Sequence, residues 1–222
     1  MKVLKSLIDL IYPPRCPVCQ AFLQDQVTVL GARELPFCEA CFKNFTKITS
    51  PICFLCGRPF SDGTDQDRLC VDCLRKRPSY DMARAPYLYD GALMKAIHEL
   101  KYAQRSHLAD SLGLLLALFA QSWTQEMKGS LVMPVPLHPR RLRARGFNQS
   151  LLLARCVAAK AGAELDFLSL RRTRFTYTGY IYPFEGQRPD LSTFSSQEPL
   201  ILYYSVKDQG LFLRSDRDQI GV

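Results

Sequence analysis

At 222 residues the chain has room for one large domain or two small ones, and an apolar content of 47% is ordinary for a folded protein and too high for a disordered one. Its longest apolar run, LGLLLALFA at 112–120, is too short to cross a bilayer, so no membrane insertion is expected. The formal net charge of +8 is uneven: residues 176–222 carry four Lys/Arg against six Asp/Glu, and the excess of ten positive charges in residues 1–175 suits phosphates, nucleotides or nucleic acid as partners.

The first segment, MKVLKSLIDLIYPPRC, carries Asp9 inside its apolar stretch and has no small-residue cleavage site. It reads as an amphipathic helix ending before Pro13-Pro14, not as a secretory signal, and a cytoplasmic location is the expectation.

Eight of the nine cysteines then fall into four Cys-x-x-Cys knuckles: Cys16/Cys19, Cys38/Cys41, Cys53/Cys56 and Cys70/Cys73. Two residues between thiolates let both sulfurs reach one tetrahedral Zn²⁺ while the intervening amides point at them. The knuckles of each successive pair are separated by 18 and by 13 residues, close to the spacing of four-cysteine zinc sites. Disulfides would need an oxidising compartment, and a thioredoxin-like redox pair would be single. Two structural Zn²⁺ are therefore expected, each supplying on the order of 10 kcal/mol of folding energy to a loop-rich stretch that buries little core. SPICFLCGRPF resembles PPRCPVCQAFL, a weak internal repeat that favours sequential pairing of the knuckles, 16/19/38/41 and 53/56/70/73, over a cross-braced arrangement. Cys156 sits among Leu and Ala and reads as a small buried hydrophobe.

Lys/Arg residues and Pro78 mark a boundary near residue 79. RAPYLY (84–89) alternates like a strand, Asp90-Gly91 turns, and residues 92–102 place Leu93, Ala96, Ile97 and Leu100 on one helical face. A second helix over roughly 106–127, with Ser106 or Asp110 as cap, follows from the spacing of Leu108, Leu112, Leu115, Leu116 and Phe119. His98 and His107 have no evident partner and read as exposed or core-edge histidines.

LVMPVPLH (131–138) reads as a buried parallel strand, a basic loop follows, and a helix starts near Asn148 or Ser150 and stops at Gly162. A strand at 164–170 then runs into Arg171, Arg172 and Arg174. Strand, basic loop, helix and strand form a βαβ unit, and ligands of such units lie at the carboxyl ends of the strands, where helix N-termini also point. Arg140, Arg141, Arg143 and Arg145 fall at that end, and their guanidinium groups match phosphate oxygens bidentately. Gly146 lets the backbone approach a ligand closely. The loop looks like a phosphate cradle, against the alternative of a solvated basic surface.

CPVC, APYLYDGALMKAIHELKY and above all PVPLHPRRLRARGFNQSLLLA resemble the ComF/GntX family over roughly residues 1–175. The resemblance implies an α/β chain: an N-terminal double zinc ribbon (1–79), then an incomplete type I phosphoribosyltransferase-like domain with a parallel sheet (80–175). It implies a role in DNA uptake or utilisation, and a loop corresponding to the one that binds the pyrophosphate of 5-phosphoribosyl-1-pyrophosphate (PRPP) with Mg²⁺. That loop extends the phosphate-binding set to Asn148 and Gln149. The family's acidic pair and Thr-Thr-Gly loop, which hold the ribose and 5′-phosphate, do not occur in this sequence. Residues 176–222 therefore read as a divergent tail, out of frame or disordered, and phosphoribosyltransferase activity is expected to be impaired. No residue is assigned as a catalytic base.

Three functions compete at this level. The first is a family-typical PRPP-recognising protein working with the DNA-uptake machinery. The second is a zinc-ribbon module that binds single-stranded DNA without catalysis, with Phe54, Phe60, Tyr87, Tyr102 and Phe147 as stacking candidates near basic stretches. The third is a non-functional truncated or frameshifted product.

Overall fold

The computed structural model describes residues 12–23, 27–29, 33–63, 65–78, 80–103, 105–123 and 130–172, and the backbone of 201–205 and 210–214. The helix expected over the first dozen residues lies outside the described residues. So does the expected tail of 176–222, apart from those two short stretches.

The N-terminal part contains a small antiparallel pair, β1 (Val27–Val29) and β2 (Arg33–Leu35), with Val27 opposite Leu35. Two one-turn helices follow, α1 (Glu39–Lys43) and α2 (Val71–Arg75). The larger part holds β3 (Met82–Arg84), α3 (Gly91–Tyr102), α4 (Leu108–Ala120), β4 (Leu131–Pro134), α5 (Pro139–Arg145), α6 (Gln149–Ala161) and β5 (Glu164–Leu165). Strands β6 (Ile201–Ser205) and β7 (Gly210–Arg214) complete a five-stranded sheet in the order β3-β6-β7-β4-β5. Strand β4 runs parallel to both of its neighbours, and β6 is antiparallel to β3 and β7. The fold is α/β with the ribbons at its N-terminal end.

Helices α4 and α6 pack along each other and form the centre of the core. Their apolar residues, Leu108, Leu112, Leu116, Leu153 and Val157 among them, are buried with Ile97 and Leu100 of α3 and Val132 of β4. Ring contacts extend this core into the first ribbon. Phe45 packs edge-on against Phe37 at 5.3 Å and against Tyr87 at 5.8 Å between centroids.

Several expected elements change shape for local reasons. RAPYLY forms no strand beyond Arg84, because Pro86 has no N–H to give to a ladder. Instead the Pro86 carbonyl accepts from Ile48 and Leu88 N–H donates to Thr46, which ties 86–88 to the end of the first ribbon. The helix expected over 106–127 spans Leu108–Ala120 and tightens into a 3₁₀ turn at Gln121–Trp123; residues 124–129 lie outside the described set. Neither Ser106 nor Asp110 caps it: His107 stands at the N-cap without a side-chain bond, and Asp110 is inside the first turn. The strand expected at 164–170 stops after Leu165. The Asp166 carboxylate accepts from Leu168 N–H at 2.9 Å and Ser169 N–H at 3.1 Å, and this local turn ends the ladder. Cys156 is half-buried, not buried, and lies against Gly113 across the contact of α4 with α6.

The second ribbon is fastened to β3. Ala83 N–H donates to the Leu55 carbonyl at 2.6 Å, and the Arg84 guanidinium reaches the carbonyls of Phe54 at 3.0 Å and Cys53 at 3.4 Å. A Cβ at Gly57 would stand 2.5 Å from the Ala83 carbonyl oxygen, so only glycine permits this approach.

Candidate functional site

The two halves of the N-terminal part fold alike. In the first, Cys16 N–H donates to Ala21 O and Gln20 N–H to Cys16 O, both at 2.8 Å; in the second, Cys53 N–H donates to Arg58 O at 2.8 Å and Gly57 N–H to Cys53 O at 2.9 Å. Gln20 and Gly57, one residue past the first knuckle of each ribbon, both have positive φ, 63° and 70°. The partner knuckles open helices: Phe42 N–H bonds Cys38 O and Leu74 N–H bonds Cys70 O, each at 3.0 Å. The sequence repeat is therefore a repeat of backbone hydrogen bonding.

This folding gathers the thiols into two sets, Cys16/Cys19/Cys38/Cys41 and Cys53/Cys56/Cys70/Cys73, with the sulfurs of each set within 4.8 Å of one another. The grouping is sequential, not cross-braced. Zn–S bonds of about 2.3 Å at tetrahedral angles demand S–S edges of about 3.8 Å. Cys19 and Cys38 are 3.7 Å apart, and so are Cys56 and Cys70. Electrostatics agree with a cation at the centre. Burial works against ionising Cys53, but the amides of Cys56, Cys70 and Leu55 outweigh it and draw the thiol down to about 6; at Cys16 the amides of Cys38, Cys19 and Val18 do the same, to about 7. Burial and the neighbouring sulfurs push Cys56 up to about 11 and raise Cys41 and Cys73 further. Several thiolates can share so small a space only around a positive charge. The residues fit two structural zinc ions, and Cys156 is in neither set.

The expected basic loop is largely a helix. Pro139 stands at its first turn, the His138 ring nitrogen Nδ1 accepts from Arg140 N–H at 3.2 Å, and the helix ends at Gly146. Those local signals outweigh the mutual repulsion of four arginines in two turns. Helix α5 therefore follows the carboxyl end of β4 and presents Arg140, Arg141, Arg143 and Arg145 from a regular element.

Asn148 and Gln149 hold this helix against the next. The Asn148 side chain accepts from Ser150 N–H at 3.0 Å, capping α6, and donates to the Val135 carbonyl at 3.2 Å, which fixes the end of β4. Gln149 is wholly buried, and its Oε1 accepts from Arg145 Nη1 at 2.8 Å. Arg145 in turn lies over the exposed ring of Tyr102, 5.3 Å from its centroid. His98 stands edge-on to Tyr102 at 5.4 Å and near Tyr89 at 6.4 Å, while His107 is exposed at the start of α4. Nothing in the local sequence marks Gln149 as buried or brings Tyr102 to Arg145; both depend on how α3, α5 and α6 meet.

Of the other aromatic candidates, Phe54 is exposed, Phe60 lies 4.5 Å from the Arg68 guanidinium, and Tyr87 and Phe147 pack against the core. Arg174 lies outside the described residues. Among the described residues no helix is long and apolar enough to cross a membrane.

The double zinc ribbon domain family matches residues 7–74, which include all eight paired cysteines. The chain is 33% identical over 144 residues to the DNA utilization protein YhgH of Escherichia coli K12, covering 64% of this chain and 62% of that protein. The same protein of Escherichia coli O157:H7 is 31% identical over 157 residues, 69% of this chain and 67% of its own length. Competence protein ComFC of Bacillus subtilis is 27% identical over 154 residues, 64% and 61% of the two chains. The chain thus spans less than two thirds of the K12 relative. No solved structure matches it.

Proposed function

The chain belongs to the ComF/GntX family, and from that premise we propose that it serves the uptake or utilisation of external DNA by holding a phosphate-rich ligand on helix α5. The observation that carries this reading is the mounting of Arg145. Its guanidinium is held by a buried glutamine on one side and lies over an exposed tyrosine on the other, beside three further arginines at the carboxyl end of a parallel strand. A solvated basic surface needs no buried acceptor to aim one of its arginines.

The ligand is PRPP with Mg²⁺ or single-stranded DNA, met in the cytoplasm, and the two zinc ions are structural. Arg140, Arg141, Arg143 and Arg145 contact phosphate, Gln149 positions Arg145, and Asn148 fixes the start of α6 against the end of β4. Because the acidic pair and Thr-Thr-Gly loop of the family do not occur in the sequence, transferase activity is impaired and binding is the retained property. Residues 1–79 and 80–175 act as ribbon and body. A second reading, a nucleic-acid-binding module without catalysis, draws support from Tyr102, whose exposed ring under Arg145 suits a stacked base.

The test is joint replacement of the four arginines by alanine, followed by calorimetric titration with PRPP and Mg²⁺ and by anisotropy of labelled single-stranded DNA across a salt series. Charge-assisted phosphate contacts contribute about 1.5–3 kcal/mol each in favourable sites, so binding should vanish while the zinc content stays. A steep salt dependence with DNA favours the second reading, and saturable Mg²⁺-dependent PRPP binding the first. A quadruple variant that binds as the parent does overturns both.

A further inference from the structure

The two ribbons share one backbone scaffold, so their corresponding knuckle positions can be compared side by side. After the first cysteine of each knuckle the first ribbon carries Pro17 and Glu39, and its Val18 packs against the main core. At the same two positions the second ribbon carries Phe54 and Val71, which are 52% and 60% exposed. Leu74 adds to them at 66%, and Leu69 at 36%. The apolar requirement of this knuckle is already met by Leu55, which is buried. The fold does not need large apolar side chains facing water here.

Their placement is local. Val71 and Leu74, three residues apart on α2, share a face. Phe54 N–H donates to the Arg68 carbonyl at 3.3 Å, next to Leu69, and Cys70 N–H donates to Cys53 Sγ at 3.4 Å, which draws the two knuckles together. Directly after Leu74 come Arg75, Lys76 and Arg77, all exposed. The one acid between Leu69 and Arg77, Asp72, is paired with Arg58 at 2.7 Å.

We propose that this face of the second ribbon docks an acidic protein segment carrying apolar anchors. Positive charge bordering an exposed apolar cluster complements such a segment and repels a basic one. Three of the four apolar side chains are aliphatic and offer no face for base stacking, which favours a protein over a nucleic acid. None of the side chains of this face belongs to α5.

The experiment selects from a displayed random-peptide library on the full zinc-loaded chain, then measures the enriched peptides by fluorescence anisotropy. Enriched sequences should combine Asp or Glu with Leu, Phe or Trp at three- and four-residue spacing. Their affinity should fall about tenfold or more in a Phe54→Ser/Leu74→Ser variant and in an Arg75→Glu/Lys76→Glu variant, each checked for two zinc ions by native mass spectrometry. The charge-reversal pair changes no apolar contact, so it decides the matter should the serine pair lose metal. Enrichment of basic or uncharged sequences, no enrichment at all, or acidic peptides that bind the charge-reversal variant unchanged overturns the proposal. It is equally overturned if the face engages only single-stranded DNA, anionic vesicles or a second copy of the chain.

Discussion

Arg145 donates to Gln149 at 2.8 Å, a charged side chain at the end of α5 gripping a buried amide in the first turn of α6. The pair joins two helices whose order in the chain is separated only by Gly146, Phe147 and Asn148. Replacing Gln149 by Leu keeps the volume near constant but removes the acceptor. Urea unfolding should show a loss of about 1–3 kcal/mol. The same variant should weaken ligand retention although Gln149 itself touches no solvent, because the guanidinium loses its aim.

Native mass spectrometry should find two Zn²⁺ per chain in freshly prepared protein and in Cys156→Ser, since the two sulfur sets exclude Cys156. Cys53→Ser should leave one. Strong chelation should unfold the ribbons, because a structural site supplies on the order of 10 kcal/mol to its surroundings, and rebinding should release protons to a weakly buffered solution. One metal or none in the parent protein refutes the assignment.

Gly113 faces Cys156 across the α4–α6 contact. A Cβ there would stand 2.6 Å from the cysteine sulfur and 2.9 Å from its Cβ. Gly113→Ala should therefore cost about 1–3 kcal/mol through overpacking. Adding Cys156→Ala removes the sulfur and not the Cβ, so the double variant should recover part of the loss. A thermal-denaturation cycle over the four proteins measures the coupling.

His98 gives the stability an acid limb. Burial and then the charge of Lys101 hold its imidazole below the ordinary 6.5. The folded state thus favours the neutral ring, and its contribution is fully present above about 6.5 and lost as pH falls through the lower folded value. His98→Phe should flatten that loss. Urea midpoints of parent and variant at about pH 7.5 and about pH 5.5 give the difference, from which the shared titration of the metal sites cancels. Parallel slopes would assign the acid limb elsewhere.

The ribbons were legible because thiol spacing is local chemistry: Cys-x-x-Cys fixes its own turn, and the repeat between the halves reappears as matching hydrogen bonds. Helix α6 was legible for the same reason, with Asn148 capping it and Gly162 ending it. Helix α5 is hidden in the sequence, because four arginines suggest a solvated loop; His138, Pro139 and Gly146 carry the opposite signal in three residues. Asp166 hid a turn inside an alternating pattern that resembles a strand. What no local pattern carries is tertiary: the burial of Gln149, the meeting of Arg145 with Tyr102, and the contrast in exposed side chains between two ribbons built on the same Cys-x-x-Cys knuckles.

The bonds from β3 to the second knuckle bear on where the chain can be divided. A boundary between residues 79 and 80 looks natural in the sequence, yet it strips the Leu55 carbonyl of Ala83 N–H and the carbonyls of Cys53 and Phe54 of the Arg84 guanidinium. Backbone acceptors left in this way cost free energy wherever water cannot replace the lost donor. By the same reasoning a separable piece carrying both ribbons has to reach Leu88, which bonds Thr46, and the second ribbon grafted onto another body must carry Ala83 and Arg84 with it. Gly57 has to travel in the same graft, since its missing side chain is the space that Ala83 occupies.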